Sequence, residues 1–204
     1  MNAVLDFVNM IIEGVITTIN SKGAANVAPM GPIVEGDFES VVLRPWKGST
    51  TYRNLCSCDA AVFHVVDEVD LIAEAVLKQN PIQPPMHKAE QIDGWVLESC
   101  CQWFELQIVD RDLTLDRAEI RARVVSRGNG RPFRGFNRAQ HAILEATILA
   151  TRVQFLDPDD VWLQFNYFRF AVEKTGTDRH QQLFERLCEF VAEQYDRKAA
   201  CDAS

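Results

Sequence analysis

Asn26-Val27-Ala28-Pro29-Met30-Gly31-Pro32 is the stretch on which the fold turns. Residues 26–34 have the apolar character of a strand, yet Pro29 and Pro32 cannot donate to a sheet. The segment is therefore an edge strand, or it bends where something else comes close. Small residues let a flat ligand lie against backbone, and each proline removes an amide that would need a partner. A bulged edge strand with no ligand satisfies the same pattern. Upstream, residues 11–20 are rich in Ile, Val and Thr and predict a strand, closed by a turn at Ser21-Lys22-Gly23. Downstream, Glu35-Gly36-Asp37 predicts a turn and residues 41–44 a third strand.

Arg44 precedes the second informative stretch, Ser49-Thr50-Thr51-Tyr52-Arg53-Asn54-Leu55. A hydroxyl here caps a short helix over residues 52–58. The free amides at such an N-terminus, with the helix dipole, form an anion site that suits a phosphate monoester, and an arginine adds a charged fork. An ordinary capped helix beside a solvated arginine is the plainer reading.

Beyond it, residues 60–66 predict a buried strand and residues 69–78 a helix. Residues 80–85 carry three prolines and predict an ordered loop or a crossing between domains. Residues 95–97, 101–109 and 118–125 predict three further strands, and residues 126–135 a Gly/Arg-rich loop. The pattern then changes to helices over residues 137–153, 158–173 and 177–198. Asp157-Pro158 opens the second of these and Thr177-Asp178 the third. Strands followed by helices make an α+β chain.

A net charge of −8 argues against general binding to nucleic acid or anionic membranes. The charge is uneven, because residues 121–138 hold six arginines and no acid. Arg121, Arg123, Arg127, Arg131, Arg134 and Arg138 suit either an anionic ligand or acidic partners elsewhere in the chain, such as Glu145 or the last helix. No stretch has the roughly 18 apolar residues of a membrane span, and the first basic residue is Lys22. The expected location is cytoplasmic. Six cysteines (56, 58, 100, 101, 188 and 201) have C-x-C and C-C spacings rather than those of a zinc site, so no metal is expected. Among the four histidines, His64 sits in an apolar strand and reads as a core residue. His141, one turn after Arg138, makes with it the best catalytic pair, against the plainer reading of a solvated pair.

Taken together, the Asn-Val-Ala-Pro hairpin strand, the next strand, Thr51-Tyr52-Arg53-Asn54-Leu55 opening a helix, and the β-rich run after it resemble the FMN-binding split barrel of flavin reductases and pyridoxamine-phosphate oxidases. The tail from Arg134-Gly135-Phe136-Asn137-Arg138-Ala139-Gln140-His141-Ala142 is similar to an uncharacterised-domain family of archaeal and bacterial proteins within that superfamily. The resemblance runs over residues 13–152, and more loosely over the last two helices.

It implies an FMN-binding split β-barrel over residues 1–135 with a C-terminal helical extension over 136–204 packed on it. Asn26, Ala28, Pro29, Met30 and Gly31 would line the isoalloxazine ring. Arg44, Ser49, Thr50, Thr51 and Asn54 would hold the ribityl phosphate. FMN would sit at a homodimer interface, and the function would be that of an oxidoreductase or flavin-reductase-like enzyme on a small-molecule substrate. Nicotinamide nucleotide is the expected electron source, and it would have to stack on the flavin, since no Rossmann fingerprint is present. The rival readings are a non-catalytic FMN-binding or carrier protein, and an empty or haem-binding split barrel with His64 or His141 as axial ligand. The chain departs from pyridoxamine-phosphate oxidases in lacking basic residues for a substrate phosphate, and from typical flavin reductases in its helical tail.

Overall fold

The computed structural model describes residues 10–77, 84–115 and 117–202. The chain divides into two compact units, one over Met1–Val66 and Gln83–Phe133, the other over Asp67–Ile82 and Arg134–Ser204. In chain order the elements are β1 (Met10–Ile11), β2 (Gly14–Ile19), β3 (Ala25–Met30), β4 (Ile33–Glu35), β5 (Ser40–Leu43), α1 (Thr50–Ser57), β6 (Ala60–Val65), α2 (Asp70–Leu77), β7 (Met86–Lys88), β8 (Trp95–Leu97), β9 (Gln102–Asp112), β10 (Glu119–Asn129), α3 (Arg138–Ala150), α4 (Pro158–Thr175) and α5 (Asp178–Asp202).

The first unit is a curled antiparallel half-barrel, the split-barrel fold, with strand order β1-β4-β5-β10-β9-β6-β2-β3. Register shifts between β9 and β10, at Arg121/Ala122 and Val124/Ser126, add the local bend and twist that curl a sheet. Along β10, Ile120 and Ala122 are buried while Arg121 and Arg123 are exposed, the period-2 pattern of a strand with one wet face. β10 runs on to Asn129, through residues whose Gly and Arg content suggests a loop, because Arg127, Gly128 and Asn129 pair with Phe104, Trp103 and Gln102. Phe63, Phe104, Leu106 and Ile120 fill the interior. Phe38 reaches in from the turn before β5 and stacks on Phe104, ring centroids 4.0 Å apart.

The proline-broken segment is two strands. Among the described residues β3 pairs with β2 alone, at the sheet's end, and the chain turns at Gly31-Pro32 into β4 on the opposite edge region. The β2–β3 turn is closed by Asn20, whose side chain accepts from the amides of Lys22 and Ala24. Gly23 there has φ +77°, a conformation that favours glycine.

Two buried polar side chains tie their strands to neighbouring segments. His64 on β6 lies between the Val15 carbonyl, 3.1 Å from Nδ1, and the Leu97 amide, which donates to Nε2 at 3.1 Å. Glu105 on β9, fully buried, accepts from the amides of Glu90 and Gln91 at 3.0 and 2.7 Å, holding the β7–β8 connection. Glu105→Ala would leave both amides without that acceptor and is expected to cost about 2–4 kcal/mol, measured by chemical denaturation. Glu105→Gln keeps one acceptor and is expected to cost less than half as much.

The second unit packs α3 against α4 and α5 along a stripe of Ala139, Ala142, Ile143 and Ala146. Asn137 caps α3, accepting from the Gln140 amide at 3.1 Å and donating to the Thr175 carbonyl at 3.0 Å. α2 belongs here too, although it lies within the first 135 residues. It packs on α3 and α5, and Asp70 and Glu74 pair with Arg179 and Arg186 of α5. Of the proline-rich loop at 80–85, residues 80–83 lie outside the described residues. No helix among the described residues is long and apolar enough to cross a membrane.

Candidate functional site

α1 opens at Ser49, whose Oγ accepts from the Tyr52 amide at 3.0 Å and donates to the Trp46 carbonyl at 2.7 Å. The helix starts at Thr50, two residues before the sequence pattern places it, since the cap is Ser49 itself. Its first turn holds no acid, so nothing there opposes an anion at the dipole's positive end. Arg53 folds back over this turn, donating to Thr50 Oγ1 and the Gly48 carbonyl, both at 2.9 Å. The far end of α1 is held by Arg111 of β9, which donates to the carbonyls of Leu55 (2.7 Å) and Cys58 (3.2 Å) and pairs with Asp59.

The two stretches singled out in the sequence meet. Asn26 Nδ2 on β3 donates to Thr51 Oγ1 at 3.2 Å and lies 3.4 Å from Thr18 Oγ1 on β2. Asn54 Nδ2 donates to the same Thr18 oxygen at 3.0 Å. Thr18, Thr51 and Asn54 are all buried. A four-residue polar joint therefore locks the start of α1 to the edge strand. Along β3, Asn26, Ala28 and Met30 share a face: Met30 is in the barrel core and Ala28 packs against it. Val27 and Pro29 take the other, half-buried face. At Gly31 a Cβ would stand 2.8 Å from the Glu13 carboxylate and 2.9 Å from Ile11 Cγ2, so a larger residue there would have to push those side chains aside.

Arg44 follows β5. Its Nε is buried with no hydrogen-bond partner among the described residues, while its carbonyl accepts from Arg117 Nε at 2.7 Å. A buried guanidinium donor without an acceptor is costly unless an anion supplies one. An orphan guanidinium donor and the acid-free start of α1 each suit an anionic group.

Arg121, Arg127 and Arg134 pair with Glu35, Asp37 and Glu68, so three of the six arginines meet acids from earlier in the chain rather than Glu145 or the last helix. Arg127 also sits 5.8 Å over the Phe104 ring. Arg138 and His141 are exposed on α3 in the helical unit, and His141 meets Phe136 edge-on at 5.7 Å. His64 has both ring nitrogens engaged and is fully buried, and burial lowers its pKa to about 4. It is a neutral core residue without a free nitrogen for a haem iron. Burial raises the Cys100 and Cys188 thiols to about 11, which keeps both protonated and unreactive. The described residues include no group of three or more His, Cys, Asp or Glu side chains arranged to hold a metal.

Thr18, Arg53, Arg111 and Arg117 escaped the sequence reading. Only Thr18 carried a signal: a Thr-Thr pair inside an otherwise apolar strand.

No curated protein shows a significant match to the sequence. Among solved structures, the chain is similar to an FMN-bound protein from Methanosarcina mazei, at TM-score 0.76 and 20% identity, covering 91% of this chain and 97% of that one. It is also similar, at TM-score 0.50 and 14% identity over 59% of this chain and 76% of the other, to an FMN-binding protein from Thermus thermophilus with bound 1-cyclohex-2-enone. Models of one family match residues 12–131 (its N-terminal domain) and 137–189. The chain belongs to that family, described as "Protein of unknown function (DUF447)".

Proposed function

We propose that this chain binds FMN and works as a flavin-reductase-like oxidoreductase on a small-molecule substrate. The observation that supports the reading is the Asn26–Thr51 hydrogen bond, which joins the edge strand β3 to the start of α1. The FMN-bound relative from Methanosarcina mazei, of the same family and similar over 91% of this chain, supports the choice of cofactor.

In this reading the amides of Thr50 and Thr51 and the Thr50 hydroxyl grip the phosphate, and the orphan Nε of Arg44 donates to it. The open backbone edge of β3, with Pro29 and Val27, lies along the ring. When bound, FMN supplies the redox chemistry, and the protein binds and orients it. Thr18 and Asn54 keep α1 in register with β3, so that ring and phosphate contacts form together. Arg111 and Arg53 hold the two ends of the helix. The reading includes a homodimer, because the unpaired edge of β3 needs a cover in the absence of another strand.

The test is the absorption spectrum of the purified chain, with mass identification of anything released on denaturation. Flavin bands and released FMN are expected, with bleaching under anaerobic NADH or NADPH. Flavin bands that do not bleach with either nucleotide would leave a carrier. A colourless chain that takes up no added FMN would end the proposal.

A further inference from the structure

α4 carries two apolar faces where one is needed. Val161, Phe165 and Val172 are buried on one side. On the opposite side Leu163, Tyr167 and Phe170 are 71%, 78% and 62% exposed. At 100° per residue these three fall in one sector, together with the exposed Asp160 and Lys174. Positions 160, 163, 167, 170 and 174 follow the alternating three- and four-residue steps of a helix–helix seam. A surface helix ordinarily turns polar residues outward, so an outer stripe of Leu, Tyr and Phe marks a contact surface.

We propose that this stripe is a self-association surface, on which α4 packs antiparallel against α4 of a second copy across a two-fold axis near Tyr167. The charges at its ends choose the partner and its direction. Asp160 lies at the N-terminal end and Lys174 at the C-terminal end, with no other charge in the seam. Antiparallel pairing sets Asp160 of each copy beside Lys174 of the other. Parallel pairing would set acid on acid and base on base. Both charges also suit the helix dipole, but the dipole does not ask for three large apolar residues between them. A two-fold contact uses one patch twice, so a self-complementary seam is what it requires.

The three apolar side chains offer on the order of 400 Å² per copy. That is about half the area that each partner buries in a stable complex, so the contact is expected to be reversible in the micromolar range.

The experiment is sedimentation equilibrium of the full chain over a wide concentration range. The native chain is expected to associate. A triple variant, Leu163→Ser with Tyr167→Ser and Phe170→Ser, is expected to show half the native mass at the same concentration, with native helical circular dichroism. Asp160→Lys and Lys174→Asp are each expected to weaken association about tenfold, and the double exchange to restore it. A native chain that never associates, a triple variant of native mass, or a double exchange no tighter than the single changes would each overturn the proposal.

Discussion

The Thr51→Ala/Asn54→Ala chain is expected to bind FMN about 100-fold more weakly than the native protein, equivalent to roughly 3 kcal/mol. Thr51 accepts from Asn26, and Asn54 donates to Thr18, so the double change removes both hydrogen bonds that join α1 to β2 and β3. The Thr51 hydroxyl is lost in the same step. Hydrogen bonds to a charged phosphate contribute about 1.5–3 kcal/mol each, and they depend on geometry that the joint maintains. Quenching of flavin fluorescence on titration of the apoprotein gives the dissociation constant. Thr18→Val tests the joint separately from direct phosphate contact, since Thr18 lies beneath the helix. It is expected to weaken FMN binding less than the double change, and Thr18→Ser to restore it. Native affinity in the double variant would show that the phosphate sits elsewhere.

His64→Ala is expected to destabilise the fold by about 3–5 kcal/mol. The change opens a cavity among fully buried neighbours and strips the Val15 carbonyl and Leu97 amide of their partner. The native imidazole also makes stability depend on pH. Its pKa falls from 6.5 to about 4, mainly because burial penalises the charged form. The unfolded chain takes up a proton near pH 6.5, but the folded chain does not until about pH 4. The stabilisation is complete above pH 6.5, and it is lost as pH falls toward 4. This one group accounts for about 3 kcal/mol over that window. Denaturant titrations at a series of pH values should show this slope in the native chain and its loss in His64→Ala. An unchanged slope in the variant would assign the acid sensitivity to other groups.

Both effects turn on partners distant in sequence, and there the reading of residues alone reaches its limit. Pro29 and Pro32 were enough to mark residues 26–34 as an edge strand or a bend, because a missing amide is a local fact. Asp157-Pro158 and Asn137 were enough to start two helices, because a cap acts on the amides just after it. Residues 126–129 misled, since they open a Gly/Arg-rich stretch that suggests a loop. Pairing with residues 102–105 of β9 makes them strand. Likewise α2 reads correctly as a helix, but nothing in its own residues says that Asp70 and Glu74 meet arginines in α5.

The sequence by itself determined which stretches are strand-like and which are helical, that the proline-broken segment could not be a regular central strand, and that a capped, acid-free helix start follows Arg44. Those features come from steric and hydrogen-bonding rules that act over a few residues. Only the tertiary structure decided that Asn26 meets Thr51, that Thr18 ties Asn54 to the sheet, that Arg111 holds the end of α1 from 56 residues away, and that α4 keeps a second apolar face exposed. These depend on strand order and on which helix faces are already covered. Such contacts are set by burying the whole core at once, which no local pattern encodes.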